Sequence, residues 1–229
     1  MPRRSGSIDV YLELGQKRVF ASAVDWPGCA RSGKDEAAAL QALCDYGPRY
    51  ARALRAARLG FEPPADPSVF TVVERLKGTA TTDFGSPGVP PAADAKPLSP
   101  AELGRAQTIL RACWRSFDAA ARAAVGRELR KGPRGGGRSL DAILEHVLGA
   151  DEAYLGQLGW PFTRDDPAGV AGEIRRSRQA MLGGLAAATR GEIPARGPRG
   201  GLRWTPRYFT RRVAWHTLDH AWEIEDRRT

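Results

Sequence analysis

The stretch Arg212-Val213-Ala214-Trp215-His216-Thr217-Leu218-Asp219-His220-Ala221-Trp222 holds two of the three histidines in this 229-residue chain. Its apolar residues, with Phe209 before it and Ile224 after it, recur at helical spacing. Thr205-Pro206 supplies a helix start: a hydroxyl at the N-cap and a proline at the first helical position. The segment reads as a helix ending near Asp226. His216 and His220, four residues apart, then share one face with Cβ atoms about 6 Å apart.

Three more helices precede it. Ser99-Pro100-Ala101-Glu102 has the serine, proline and glutamate of a capped helix start, and Leu103, Ala106, Leu110, Cys113, Trp114 and Phe117 continue the stripe to about Arg130. Ser139 caps a second helix carrying Leu140, Ile143, Leu144, Val147, Leu148, Leu155 and Leu158, with the third histidine, His146, in its second turn. Asp166-Pro167 starts another, ending near Arg190-Gly191. Four helices joined by short to medium loops imply a bundle.

Imidazole is the commonest nitrogen ligand for zinc, nickel, copper and iron. Three histidines with a fourth position open form a catalytic type of zinc site. At 1.5 Å per residue, His146 lies about 10 Å into its helix, and His216 and His220 lie about 15 and 9 Å from the end of theirs. Antiparallel packing of these two helices puts the three rings at one level; parallel packing does not. Asp219 and Glu223 flank the histidines and are candidates to orient an imidazole. No Ser-His-Asp or Cys-His set is read.

This half resembles the DinB superfamily of four-helix metalloproteins, whose motif is one histidine on the second helix and H-x-x-x-H on the fourth. The resemblance covers about residues 98–227. It implies an up-down-down-up bundle and a divalent metal, zinc or nickel, on His146, His216 and His220. It also implies a thiol-dependent transferase or a hydrolase as the reaction class, with a low-molecular-weight thiol as a further cofactor.

The first half begins with alternation: Ile8, Val10, Leu12 and Leu14 against Asp9, Tyr11 and Glu13, a half-buried strand. Gly15-Gln16 turns into a returning strand from Arg18 to Val24, completing a hairpin. Asp25-Trp26-Pro27-Gly28-Cys29 breaks it. Asp35-Glu36-Ala37-Ala38-Ala39-Leu40 opens a helix, interrupted at Gly47-Pro48 and resuming to about Leu59. Phe70 to Leu76 is another strand, giving β-β-α-β. From the hairpin, the Trp-Pro-Gly-Cys step, Gly33 and the acidic-alanine helix, residues 7–60 resemble the HicB-like antitoxin fold. In that family the module precedes a small DNA-binding domain and neutralises a toxin ribonuclease; no such DNA-binding segment is read here.

Gly85-Ser-Pro-Gly-Val-Pro-Pro-Ala-Ala-Asp-Ala-Lys-Pro97 is too rich in proline for a helix or a central strand. The expected organisation is α+β: a HicB-like domain over 1–84, a stiff linker over 85–97 and a DinB-like bundle over 98–229. Residues 1–97 carry 13 basic against 11 acidic side chains, and residues 98–229 carry 22 against 15. The basic excess therefore belongs to the helical half. Two glycine-rich basic loops, Gly132-Pro-Arg-Gly-Gly-Gly-Arg138 and Gly197-Pro-Arg-Gly-Gly-Leu-Arg203, precede the second and fourth helices. The first mimics a P-loop but follows a helix where a strand is required. Arg134, Arg138, Arg199 and Arg203 are candidates to attract an anionic substrate or thiol.

With 42% apolar and 27% charged residues the composition is globular. Cys29, Cys44 and Cys113 are widely spaced, which suits free thiols in a cytoplasmic protein. No apolar run reaches membrane-span length, and no signal peptide is read. The expected partners are a small-molecule substrate and at most a second copy of the chain, with no membrane and no nucleic acid. The other reading is a non-catalytic interaction protein related to antitoxins, binding protein or nucleic acid.

Overall fold

The computed structural model describes residues 7–131, 137–165 and 169–229. The chain divides into two compact units, Met1–Lys96 and Pro97–Thr229. The first is a four-stranded sheet with helices, and the second is helical.

In the first unit β1 (Ile8–Leu14) and β2 (Val19–Ala23) form the expected hairpin, closed by Gly15 N–H donating to the Arg18 carbonyl at 3.0 Å. A short third strand, β3 (Ala30–Gly33), pairs antiparallel with β2. The segment after Gly28 is thus a strand, where the sequence reads only a break. Its four residues alternate too briefly to show a period. Helix α1 (Glu36–Leu54) follows, capped by the Asp35 carboxylate on Ala38 N–H. The chain returns along β4 (Phe70–Lys77), parallel to β1, giving the sheet order β3-β2-β1-β4.

Two expectations fail here for packing reasons. Helix α1 runs unbroken through Pro48. A helix-interior proline forfeits one backbone hydrogen bond, but the turn beyond it is anchored. Tyr50 is fully buried and donates its hydroxyl to the Pro27 carbonyl at 2.8 Å. Strand β1 is buried on both faces from Val10 to Glu13, not half-buried. Its second face is covered by the proline-rich stretch. Glu13, with no exposed surface, accepts from Gly88 N–H and Val89 N–H at 3.0 and 3.1 Å and from the Thr82 hydroxyl. Ala92 N–H likewise donates to Glu74 at 3.0 Å. Thr82 sits on α2 (Ala80–Phe84), which ends at Gly85 with φ of +119°. Residues 85–96 are therefore hydrogen-bonded into the first unit and do not run free as a spacer.

The second unit contains α3 (Pro100–Ala124), α4 (Leu140–Leu158), α5 (Gly169–Thr189) and α6 (Pro206–Arg227). Ser99 and Glu102 form the capping box read from sequence, and Ser139 and Thr205 cap α4 and α6. Helix α3 stops six residues short of Arg130, just before Gly126, whose φ is +71°. The expected start of α5 at Asp166-Pro167 lies outside the described residues.

Contacts between the helices fix their directions. Phe117, Ala120 and Ala124 near the end of α3 pack with Ile143 and Val147 near the start of α4 and with Ala221 and Ile224 near the end of α6. At the other end, the start of α6 meets the start of α3: Arg207 donates to Glu102 at 2.6 Å and to the Pro97 carbonyl at 2.9 Å. There too Trp204 N–H donates to the Gln157 carbonyl, at the end of α4, at 2.9 Å. Helices α3 and α6 run one way and α4 the other. Helix α5 follows α4, since Ser177 reaches Asp151 and Gly184 abuts Leu158. No helix among the described residues is long and apolar enough to cross a membrane.

Candidate metal centre

Because α4 and α6 are antiparallel, the second turn of α4 faces the last turns of α6. His146, His216 and His220 meet there, with ligand nitrogens all within 4.8 Å of one another. The Nε2 of His216 lies 3.2 Å from the Nε2 of His146 and 3.2 Å from that of His220. Nitrogens bound at 2.0–2.1 Å to a tetrahedral ion stand about 3.3–3.4 Å apart. Two of the three separations are already at that spacing. His216 and His220 are buried and His146 is half-buried, so the cluster opens to solvent on the α4 side.

The other face of His220 decides its tautomer. Its Nδ1 lies 2.7 Å from Glu223 Oε2. A neutral ring there donates Nδ1–H to the carboxylate and turns the Nε2 lone pair inward, as a metal ligand requires. Arg227 holds Glu223 in turn, donating to Oε1 at 2.6 Å, and it also donates to the carbonyls of Arg130 and Arg138 at 2.9 and 2.8 Å. The ring of His220 holds the Glu223 carboxyl below the usual carboxylate range, and Arg227 adds to this.

Burial pushes the other two rings toward the neutral form. His216 is held well below the ordinary imidazole range, first by desolvation and then by its histidine neighbours. His146 is lowered by burial, with smaller contributions from His220 and Arg138. The Nδ1 of His216 is buried with no hydrogen-bond partner among the described residues. Tyr154 stands edge-on to His216, ring centroids 5.7 Å apart, and its hydroxyl accepts from Arg212 at 3.2 Å. Three imidazoles with converging nitrogens, two of them held toward the neutral form by burial and the third fixed by a carboxylate, are a donor set that fits a borderline divalent cation.

Of the two flanking acids, Glu223 is the one on an imidazole nitrogen; Asp219 is half-exposed on the same helix. The described candidate arginines do not come together. Arg138 precedes the start of α4, about 10 Å from the level of His146. Arg203 is at the opposite end of α4, packed beside Gly159 and donating to the Pro194 carbonyl at 3.1 Å. Arg199 is exposed in the same loop as Arg203, and Arg134 lies outside the described residues. Of the described three, only Arg138 is near the histidines. Arg227 and Tyr154 go unread in the sequence. The spacing of Glu223 and Arg227, four apart on one helix face, is a signal that could have found Arg227.

The unit is thus a set of four helices in which three histidines that could hold a metal ion converge from two antiparallel members. Comparison with protein families matches the DinB superfamily over residues 109–224, a span that contains all three histidines. The chain belongs to the DinB superfamily. Comparison with curated proteins and with solved structures gives no match.

Proposed function

We propose that the helical unit binds one divalent cation, zinc or nickel, through His146, His216 and His220, and that the protein is a metal-dependent enzyme of the transferase or hydrolase type. The observation that carries this reading is the pair of 3.2 Å Nε2 separations centred on His216, with Glu223 fixing the His220 ring. The bound ion would supply Lewis-acid chemistry, lowering the pKa of water or of a low-molecular-weight thiol so that the nucleophile exists at neutral pH. The chain's own residues prepare the site. Glu223 accepts the hydrogen bond from His220 Nδ1–H, Arg227 keeps Glu223 in place, and burial keeps His216 unprotonated. Substrate would approach from the half-buried His146 side, where Arg138 is the nearest of the described candidate arginines. For the first unit we keep the HicB-like reading, supported by the β1–β2 hairpin, the Pro27 carbonyl that anchors Tyr50, and the Asp35-capped helix.

The test is metal analysis of protein purified without a histidine tag, paired with His220→Ala. About one zinc or nickel per chain is expected in the wild type and far less in the variant, since loss of one of three ligands removes most of the affinity. Added metal should raise the melting temperature of the wild type and raise that of the variant much less. Equal shifts would place the metal elsewhere. A difference in shifts with no thiol-transfer or hydrolytic turnover over a broad substrate panel would make the ion structural.

A further inference from the structure

The seam between α3 and α5 holds a cleft of about 760 Å³. It is built from elements that carry none of the three histidines. Its rim is basic: Arg111 and Arg115 on α3 and Arg175 on α5 are exposed, with no ion-pair partner among the described residues. Deeper in the cleft lies Arg178, only 9% exposed. Its Nη1 donates to Asp118 at 2.9 Å, while its Nε and Nη2 are buried with no acceptor among the described residues. Trp114 lines the same cleft, and its indole Nε1–H is also buried without an acceptor. The guanidinium carbon of Arg178 is 5.6 Å from the Trp114 ring centroid, so the orphaned donors are neighbours.

A buried donor left without an acceptor is costly. Guanidinium cannot relieve the cost by losing its proton. The fixed charge of Arg178, beneath a rim of three exposed arginines, matches an oxyanion that enters from solvent. The lining also carries apolar surface. Phe162 forms one wall. Asp118, Arg175 and Arg178 are shared with a second cavity of about 410 Å³, whose walls include Phe117, Leu144 and Ile174.

We propose that this cleft is a binding site for a small organic anion, a phosphate or carboxylate borne on an apolar body. The oxyanion is held by the rim arginines Arg111, Arg115 and Arg175 above the buried charge of Arg178, and the apolar part takes the adjoining cavity. A ligand of this kind meets both the basic rim and the apolar walls, whereas an inorganic anion leaves the apolar walls uncovered.

Isothermal titration of the full chain with phenyl phosphate, benzoate and inorganic phosphate tests the proposal. At least one organic anion should saturate with Kd below about 1 mM, and inorganic phosphate should bind at least about tenfold more weakly. Preference between the two organic anions then identifies the oxyanion. The double variant Arg115→Gln/Arg175→Gln changes only exposed side chains, so its circular dichroism should match the wild type. Its affinity should fall about tenfold at low salt, with less difference at high salt as screening removes the rim's contribution. No saturable binding of either organic anion, inorganic phosphate binding as tightly as both, or an unchanged isotherm in the double variant would overturn the proposal.

Discussion

His216 touches both of the other histidines, and it is the ring that burial holds furthest toward neutrality. In the unfolded chain an imidazole takes its proton near pH 6.5, whereas folded His216 and His146 take theirs at lower pH. Below about pH 6.5 the unfolded state therefore binds more protons than the folded state, and stability falls as pH falls. The metal-free protein should lose melting temperature from about pH 6.5 downward, and His216→Gln should lose less over the same range; parallel curves would show that His216 protonates freely when folded. Glu223 acts one bond further out. Replacing it with glutamine keeps an acceptor for His220 Nδ1–H but removes the negative charge beside the ring. Metal affinity should drop about tenfold, measured by competition with a chromophoric chelator, while the helical signal is unchanged. Glu223 was legible as a candidate because it lies three residues after His220, one turn along the same face. Choosing it over Asp219 required the rotamer, which spacing does not give.

At the scale of the element, α4 carries a second titratable feature below His146. Asp151 is fully buried, and desolvation raises its carboxyl to about 7, opposed in part by Ser177 and Arg178. The Ser177 hydroxyl lies 3.0 Å from both Asp151 Oδ2 and the Ile174 carbonyl, yet it has one proton. Shared between two acceptors, that proton compensates an ionised Asp151 only in part. Because the folded pKa lies above the unfolded value near 3.9, the contribution is full below pH 4 and is lost as pH rises through about 7. Asp151→Asn should abolish that loss, leaving the variant more stable than the wild type at pH 8.5 by an amount on the order of 3 kcal/mol. Denaturant melts at pH 5 and 8.5 measure it, and equal pH dependence in the two proteins would mean that Asp151 is ionised throughout. The helices of this unit were readable because each has a 3.6-residue apolar stripe and an explicit cap, as at Ser99, Ser139 and Thr205. What sequence hid was tertiary. Pro48 reads as a break unless the anchoring of Tyr50 is known, and the four residues of β3 are too few to alternate visibly. Burial of both faces of β1 depends on residues 82–89, far along the chain.

For the whole molecule, connectivity decides which features can cooperate. Helices α3 and α6 run together and opposite to α4 and α5, so the α3–α4 connection lies at one end of the unit and the α5–α6 connection at the other. Arg138, just before α4, and Arg203, beyond its far end, are therefore held about one helix length apart, roughly 28 Å for the 19 residues of α4. This much was within reach of the sequence, since an up-down-down-up order already separates them; composition alone drew them together. The same order brings His146 to His216 and His220, which is why the axial levels counted from the helix ends placed that cluster while charge did not place an anion site. The unit boundary follows from hydrogen bonding, not from proline content. Glu13 is sealed from solvent by Gly88, Val89 and Thr82, so residues 85–96 complete the first unit. A fragment of residues 97–229 keeps the whole helical contact set and all three histidines, and it should bind metal with the affinity of the full chain, within about threefold. Fragments 1–96 and 1–84 should differ sharply. Cutting at 84 leaves the Glu13 carboxylate without its two backbone donors, a loss on the order of 3–5 kcal/mol for a buried charge stripped of its partners. Fragment 1–96 should melt cooperatively by circular dichroism, and fragment 1–84 should show no folding transition or one shifted far down in temperature. Equal melting of the two would mean that the proline-rich stretch merely lies against the sheet and that Glu13 is satisfied by water in its absence.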